Sequence, residues 1–180
     1  GPLAIKAGGA QILIFVIVTL FSALNIFGVK WSGQVQTWLT GSKVVIGVNG
    51  FQEVKGGNFI VALDLDTGKE AWRFHTVARP GEPGGETWNG LSAEARNGGS
   101  VWVAGTYDPK LNLVYFGAAP TYDSMKLRVK STEPGVTNDA LYTNATVALD
   151  ADTGKLAWYY QHQANDQLDH DWAFERTLLD

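Results

Sequence analysis

The chain contains no cysteine in 180 residues, which excludes both a disulfide framework and thiolate metal sites. It has no acid ahead of Glu53, although Lys6, Lys30 and Lys43 stand there. The first 52 residues carry +3, leaving −7 for the remainder of a chain whose net charge is −4. Such a split marks two unlike parts, and the acidic second part is unsuited to nucleic acid. No methionine opens the chain, and it stops in the apolar run "RTLLD", so it reads as a piece of a longer protein. What it has in quantity is 21 glycines and seven tryptophans. That pairing of tight turns with large packed aromatics is the composition of β-rich repeat folds.

Charge is also missing from Ala7 to Val29, a run of 23 residues. About 20 helical residues cross a bilayer core. The run is apolar on all sides, which favours a membrane span over an amphipathic surface helix. A signal peptide and a buried core helix are the alternatives. The expectation is therefore a hydrophobic, transmembrane α-helical segment over residues 1–44 and a separate domain over 45–180. "LNIFGVKWSGQVQTWLTGSKV" (24–44) resembles a helix and following loop of amino-acid/polyamine permeases, which implies a permease remnant joined to an unrelated domain.

Beyond residue 44 the sequence repeats itself. "IVALDLDTGKEAWRFHT" (60–76) and "TVALDADTGKLAWYYQH" (146–162) both read as an apolar strand, an Asp-x-Asp-Thr-Gly-Lys turn and a strand entered by Trp. Asp caps such a turn with its side chain, and Gly supplies the positive φ. The offset from Asp64 to Asp150 is 86 residues, twice 43, and four-stranded propeller blades repeat at about 40–45. A degenerate copy, "SVWVAGTYDPKLNLVYFGAA" (100–119), lies between them. These segments predict an all-β partial β-propeller of about three four-stranded blades. The long Pro- and Gly-rich connections, 77–99 and 122–140, read either as functional loops or as solvated excursions.

Taken in order, "GKEAWRFHTVARPGEPG", "GGSVWVAGTYDPKLNLVYFG", "NDALYTNATVALDADTGKLAWYYQH" and "NDQLDHDWAFERTLLD" resemble the quinoprotein alcohol dehydrogenases. The resemblance implies an eight-bladed, periplasmic propeller that uses pyrroloquinoline quinone (PQQ) and Ca²⁺ to oxidise small alcohols. The electron acceptor, a cytochrome or a quinone, is left open. It further implies that Glu53 is a calcium ligand, that Trp102 is the surface on which the quinone stacks, and that Ser100 contacts the cofactor. Asp169 is implied as catalytic base and second calcium ligand. The residues alone leave Glu53 open as a solvent-facing loop acid and Trp102 as blade core. Asp166 and Asp171 read as a turn cap and a strand-edge charge.

The chain departs from the family pattern beside Glu53, where Phe51 and Gln52 replace small residues and Gly57 replaces an arginine, and at two further places. Pro120 stands where the family has an asparagine ligand, and proline offers neither a side-chain oxygen nor an N–H. Leu168 replaces a tryptophan beside Asp169. These departures support a second expectation, a non-catalytic propeller scaffold with a degenerate site.

Overall fold

The computed structural model describes residues 43–50, 56–122 and 125–179. The expected transmembrane helix and the permease-like segment up to residue 42, together with Glu53, lie outside the described residues. Within them, no helix is long and apolar enough to cross a membrane.

Two antiparallel sheets make up the structure. The first is ordered β1 (Lys43–Gly47), β2 (Phe59–Asp64), β3 (Glu70–His75). The second is ordered β4 (Thr106–Asp108), β5 (Leu113–Gly117), β6 (Ala145–Asp150), β7 (Leu156–Gln161). The β-propeller expectation holds in kind and is corrected in number, since the described residues form two blade sheets rather than about three. The 86-residue interval is one blade step lengthened by loops. The degenerate copy supplies β4 and β5, which complete the same sheet as β6 and β7. β1 begins at Lys43, so the expected boundary after residue 44 falls inside a strand.

The two repeated turns are atomic copies. Asp64 Oδ1 accepts from the Thr67 N–H at 2.8 Å and its hydroxyl at 2.7 Å, and Asp150 Oδ1 accepts from the same two groups of Thr153, both at 2.8 Å. Gly68 and Gly154 take φ of 67° and 69°, and each donates its N–H to the carbonyl of the leading Asp at 2.8 Å. These bonds to the charged form hold both carboxyls below the usual carboxylate range. Each copy also has a register shift one step past the Ala–Trp pair, at Ala62/Leu63 and at Ala148/Leu149.

The sheets meet along a seam stapled by the first copy's tryptophan. Trp72 is buried, and its indole N–H donates to the Ala151 carbonyl in the second sheet's turn at 3.1 Å. Its ring lies over Gly154, where an added Cβ would sit 2.4 Å from Trp72 Cε3. Lys43 reaches Asp152 of the same turn at 3.6 Å.

Strand direction then sorts the connections. The β2–β3, β4–β5 and β6–β7 turns gather at one end, with Ala151 N–H donating to Asn112 O at 3.0 Å. Every long connection, namely 48–58, 76–105, 118–144 and 162–179, leaves from the opposite end. The 76–105 connection is packed structure, whereas most of the described residues of 126–139 are exposed around a buried Leu127. Trp88 is fully buried and donates to Leu141 O at 2.6 Å, while Arg96, also buried, donates to the carbonyls of Leu91, Ala78 and Gly85. Burying a guanidinium is tolerated because its donors are satisfied.

Candidate functional site

The loop end is knitted by backbone hydrogen bonds. Val101 N–H donates to Val48 O (3.1 Å), Gly99 N–H to Pro120 O (3.1 Å), Ala119 N–H to Ser100 O (2.9 Å) and Asn144 N–H to Ala119 O (3.0 Å). His162 N–H donates to Asn144 O at 2.8 Å. The loops that carry Ser100, Trp102, Pro120 and Asp169 thus run side by side across the two blades.

Ser100 is buried, and its hydroxyl accepts from Asn58 Nδ2 at 3.1 Å and faces Gly50 O at 3.4 Å. Asn58 is fully buried, and its side chain also exchanges bonds of 2.7 Å with the Gly50 N–H and carbonyl. Ser100 therefore braces the loop that leads toward residue 51. Trp102 is 43% exposed and lies outside the strands. Its indole lines a cleft of about 470 Å³ between β1 and the β4–β5 pair, alongside Val45, Gly47, Tyr107 and Phe116. It is not blade core. Among the described residues, no carboxylate lines that cleft, so Trp102 and Asp169 occupy separate patches of the loop end.

Asp169 stands on a built loop. Asp166 is buried; its Oδ1 accepts from Leu168 N–H (2.9 Å), and its Oδ2 accepts from His170 N–H (2.7 Å) and Asn144 Nδ2 (3.1 Å). Burial pushes this carboxyl up, but the Leu168 and His170 N–H groups, Asn144 and the charge of His170 outweigh it, and the net shift is downward. The expectation of a turn cap for Asp166 holds. Between the two anchored amides, Asp169 adopts φ 65° and projects outward, exposed. Tyr122 is half-buried on the neighbouring loop, close enough to Asp169 and Asp171 to feel their charge. Burial, then the carboxylates of Asp169 and Asp171, drive the Tyr122 pKa well above the usual phenol value.

Asp171 is corrected. It lies in no strand, and its Oδ1 is buried without a hydrogen-bond partner. Burial first, then Asp169 and Asp166, raise its pKa. Asn144, which opens an Asn-Ala-Thr sequence of the kind that accepts N-glycans, is fully buried.

Tyr122, Asn97 and Asn58 escaped the sequence reading. Asn97 Oδ1 accepts from the Thr121 hydroxyl (3.0 Å) and the Tyr122 N–H (2.9 Å), and so fixes the stem of the tyrosine. No local motif announces pairings made across such chain separations. The available signal was the family departure at Pro120, two residues ahead of Tyr122.

Comparison with known proteins places these features. The profile of the PQQ glucose/ethanol/alcohol dehydrogenase β-propeller domain matches residues 32–180, a span that takes in 32–44. The chain is 38% identical over 150 residues to quinohemoprotein alcohol dehydrogenase ADH IIB of Pseudomonas putida, covering 77% of this chain and 21% of that relative. It is 36% identical over 151 residues to the quinohemoprotein alcohol dehydrogenase of Comamonas testosteroni, covering 77% and 20%. Among solved structures, that of P. putida ADHIIG superposes with a TM-score of 0.58 at 36% identity, over 72% of this chain and 20% of that one. A europium-containing methanol dehydrogenase superposes with a TM-score of 0.58 at 26% identity, over 73% and 25%. The chain spans about a fifth of the length of the relatives it matches. With two blade sheets, duplicated Asp-Thr-Gly turns and a profile match over most of its length, the chain belongs to the PQQ-dependent alcohol dehydrogenase β-propeller family.

Proposed function

We propose that this chain is the part of a PQQ-dependent alcohol dehydrogenase that holds the catalytic base, and that the whole protein oxidises small alcohols. Asp169 carries the reading. It is an exposed carboxylate on a loop whose neighbouring amides are pinned by Asp166, at the end of the blades that also carries Ser100 and Trp102. An alcohol bound there would lose its hydroxyl proton to Asp169 as the carbinol C–H bond breaks. PQQ held against Trp102 would supply the hydride acceptor, and Ca²⁺ held by Asp169 and Glu53 would supply Lewis acidity.

The donor set suits a hard cation. Asp171 keeps a buried oxygen with no hydrogen-bond partner next to Asp169, and a cation would relieve both its desolvation and the repulsion between the two acids. Asp169 and Glu53 are the ligands we assign. Trp102, with an exposed indole face on a cleft, is the stacking surface we assign to the quinone, and Ser100 supports the loop beside it. We further assign the protein to the periplasm, anchored through the segment ahead of residue 45 and passing electrons to a cytochrome or quinone. This placement rests on the apolar run and on the habit of the family.

One observation favours a non-catalytic scaffold instead. Pro120 has no side-chain oxygen, and its carbonyl is spent on the Gly99 N–H. Among the described residues, no three His or acidic side chains converge as a metal site.

The full-length gene product reconstituted with PQQ and Ca²⁺ separates the two. Alcohol-dependent dye reduction that disappears in D169N supports the enzyme. A protein that neither retains quinone absorbance nor reduces dye with any alcohol is the scaffold. The 180-residue chain alone is expected to be inactive, because it spans so little of its relatives.

A further inference from the structure

We propose that His162 is an acid-sensitive latch for residues 172–176: its neutral ring holds that strap across the second sheet, and a proton on Nε2 lets the strap go. The proposal is independent of the reading of Asp169 as the base.

The strap crosses the loop end of all four strands. Trp172 stacks on His162, just past β7, with ring centroids 4.4 Å apart and planes 7° from parallel. Arg176 Nε donates to the Thr146 hydroxyl of β6 at 2.9 Å. Over β5, Gly117 leaves room for the strap, since an added Cβ would sit 2.4 Å from the Trp172 carbonyl oxygen and 2.7 Å from Arg176 Nη2. At β4, the Thr106 hydroxyl donates to the Arg176 carbonyl. Arg176 also ties the strap to itself, donating to the carbonyls of Trp172 at 2.8 Å and of Phe174. Ala173, between them, is fully buried.

One oxygen fixes the protons of this network. Thr146 is buried, and its Oγ1 lies 2.8 Å from His162 Nε2 and 2.9 Å from Arg176 Nε. A guanidinium only donates, so the hydroxyl accepts from Arg176. Its single hydrogen then points to His162 Nε2, which has to be the unprotonated nitrogen. The ring is therefore neutral, with its proton on Nδ1. A proton added to Nε2 puts two cations on one buried oxygen and leaves the hydroxyl hydrogen without its acceptor. Relief comes when His162 or Arg176 moves away, and each of them clasps one end of the strap.

Nothing around His162 offsets that added charge. Arg176 is the charged group that acts on the ring, and it repels the imidazolium. Tyr160, on the same strand, meets the ring edge-on at 5.1 Å, β6 offers the Thr146 hydroxyl, and the Asn144 carbonyl takes the His162 backbone N–H. Among the described residues no carboxylate pairs with this ring, in contrast to His75 with Glu82 and His170 with Asp166. Burial, then Arg176, holds the His162 pKa below its ordinary value. The closed strap is therefore undisturbed above the ordinary histidine value of ~6.5. It weakens as pH falls from there through the lower folded pKa, because the open form takes up the proton first.

Two measurements on this chain test the latch. Long-range nitrogen–proton spectra of the chain labelled at histidine nitrogen are expected to show the Nδ1–H tautomer at pH 7.5, with His162→Gln assigning the resonance. An Nε2–H tautomer or a charged ring at that pH overturns the proposal. The chain has no cysteine, so Ala173→Cys supplies one buried thiol. Its labelling by a dipyridyl disulfide, normalised to a free cysteine peptide at each pH, follows opening of the strap. Uptake of one proton by the open form is expected to raise opening about 5–10-fold between pH 7.5 and 5.5, and H162Q to hold the change within about twofold. Opening that stays level over this range, or that rises equally in H162Q, overturns the latch. His162→Phe, which keeps a flat ring against Trp172 and cannot titrate, gives the same comparison if the glutamine variant does not fold.

Discussion

Trp72 and Trp158 occupy the same position in two copies of one motif, yet only the first is docked. Trp72 is buried and donates to Ala151 across the sheet seam at 3.1 Å, whereas Trp158 remains 45% exposed. Substituting Trp72 with Phe removes a buried hydrogen bond and leaves a carbonyl unmatched, an expected loss of about 1–3 kcal/mol. The same change at Trp158 is expected to stay within about 0.5 kcal/mol in this chain. Urea unfolding of the two variants checks the contrast, and equal losses would refute the idea that the docked indole holds the seam.

The turn glycines of the two copies differ in a related way. Gly68 has open space where a Cβ would go, and Gly154 has the Trp72 ring at 2.4 Å. Both have positive φ, so Gly68→Ala is expected to cost about 1–2 kcal/mol for backbone strain alone. Gly154→Ala adds overpacking of the indole and is expected to cost about 2–4 kcal/mol in all. Thermal melts of the two variants should rank them in that order.

Arg96→Lys tests the loop end. The guanidinium serves three carbonyls from a fixed fork and lies 5.6 Å over the Trp88 ring. An ammonium cannot reproduce that fork. A loss of at least about 2 kcal/mol is expected, visible as faster proteolysis within 76–105. A Lys variant with unchanged stability would remove Arg96 as an organiser of these loops.

Asp166 makes the Asp169 loop sensitive to acid. Its folded pKa lies below the unfolded value near ~3.9, so its stabilising contribution is present in full above that value and is lost as pH falls through the lower folded pKa. Asp166→Asn is therefore expected to destabilise at pH 7 and to flatten the stability profile at the acidic end. Unfolding midpoints measured from pH 7 down to the lowest pH at which the chain stays soluble test this, and a parallel offset between variant and wild type at every pH would count against it.

The repeat was legible because its chemistry is local. Asp, Thr and Gly of each turn bond to one another within a few residues, so the motif announces both the turn and the strands. The same reading miscounted the blades. An interval divisible by 43 looks like two repeats, and nothing in the sequence says that β5 and β6, on either side of 118–144, are neighbours in one sheet. At the candidate site, Asp166 was legible as a cap for the same local reason. Asn97 was not, since its bonds to Thr121 and Tyr122 exist only after two loops are laid side by side. Trp102 was open between blade core and a stacking surface for the quinone, and its 43% exposure beside a cleft sets aside only the first.

The segregation of turns from loops has a practical corollary. The Trp72 staple lies at the end where the connections are short and repeated, while chemical individuality lies at the other, where loop backbones also bond across the seam. Loops exchanged between members of this fold would therefore have to keep the crossings at Ala78–Leu141 and Thr76–Tyr142 that help hold the blades in step.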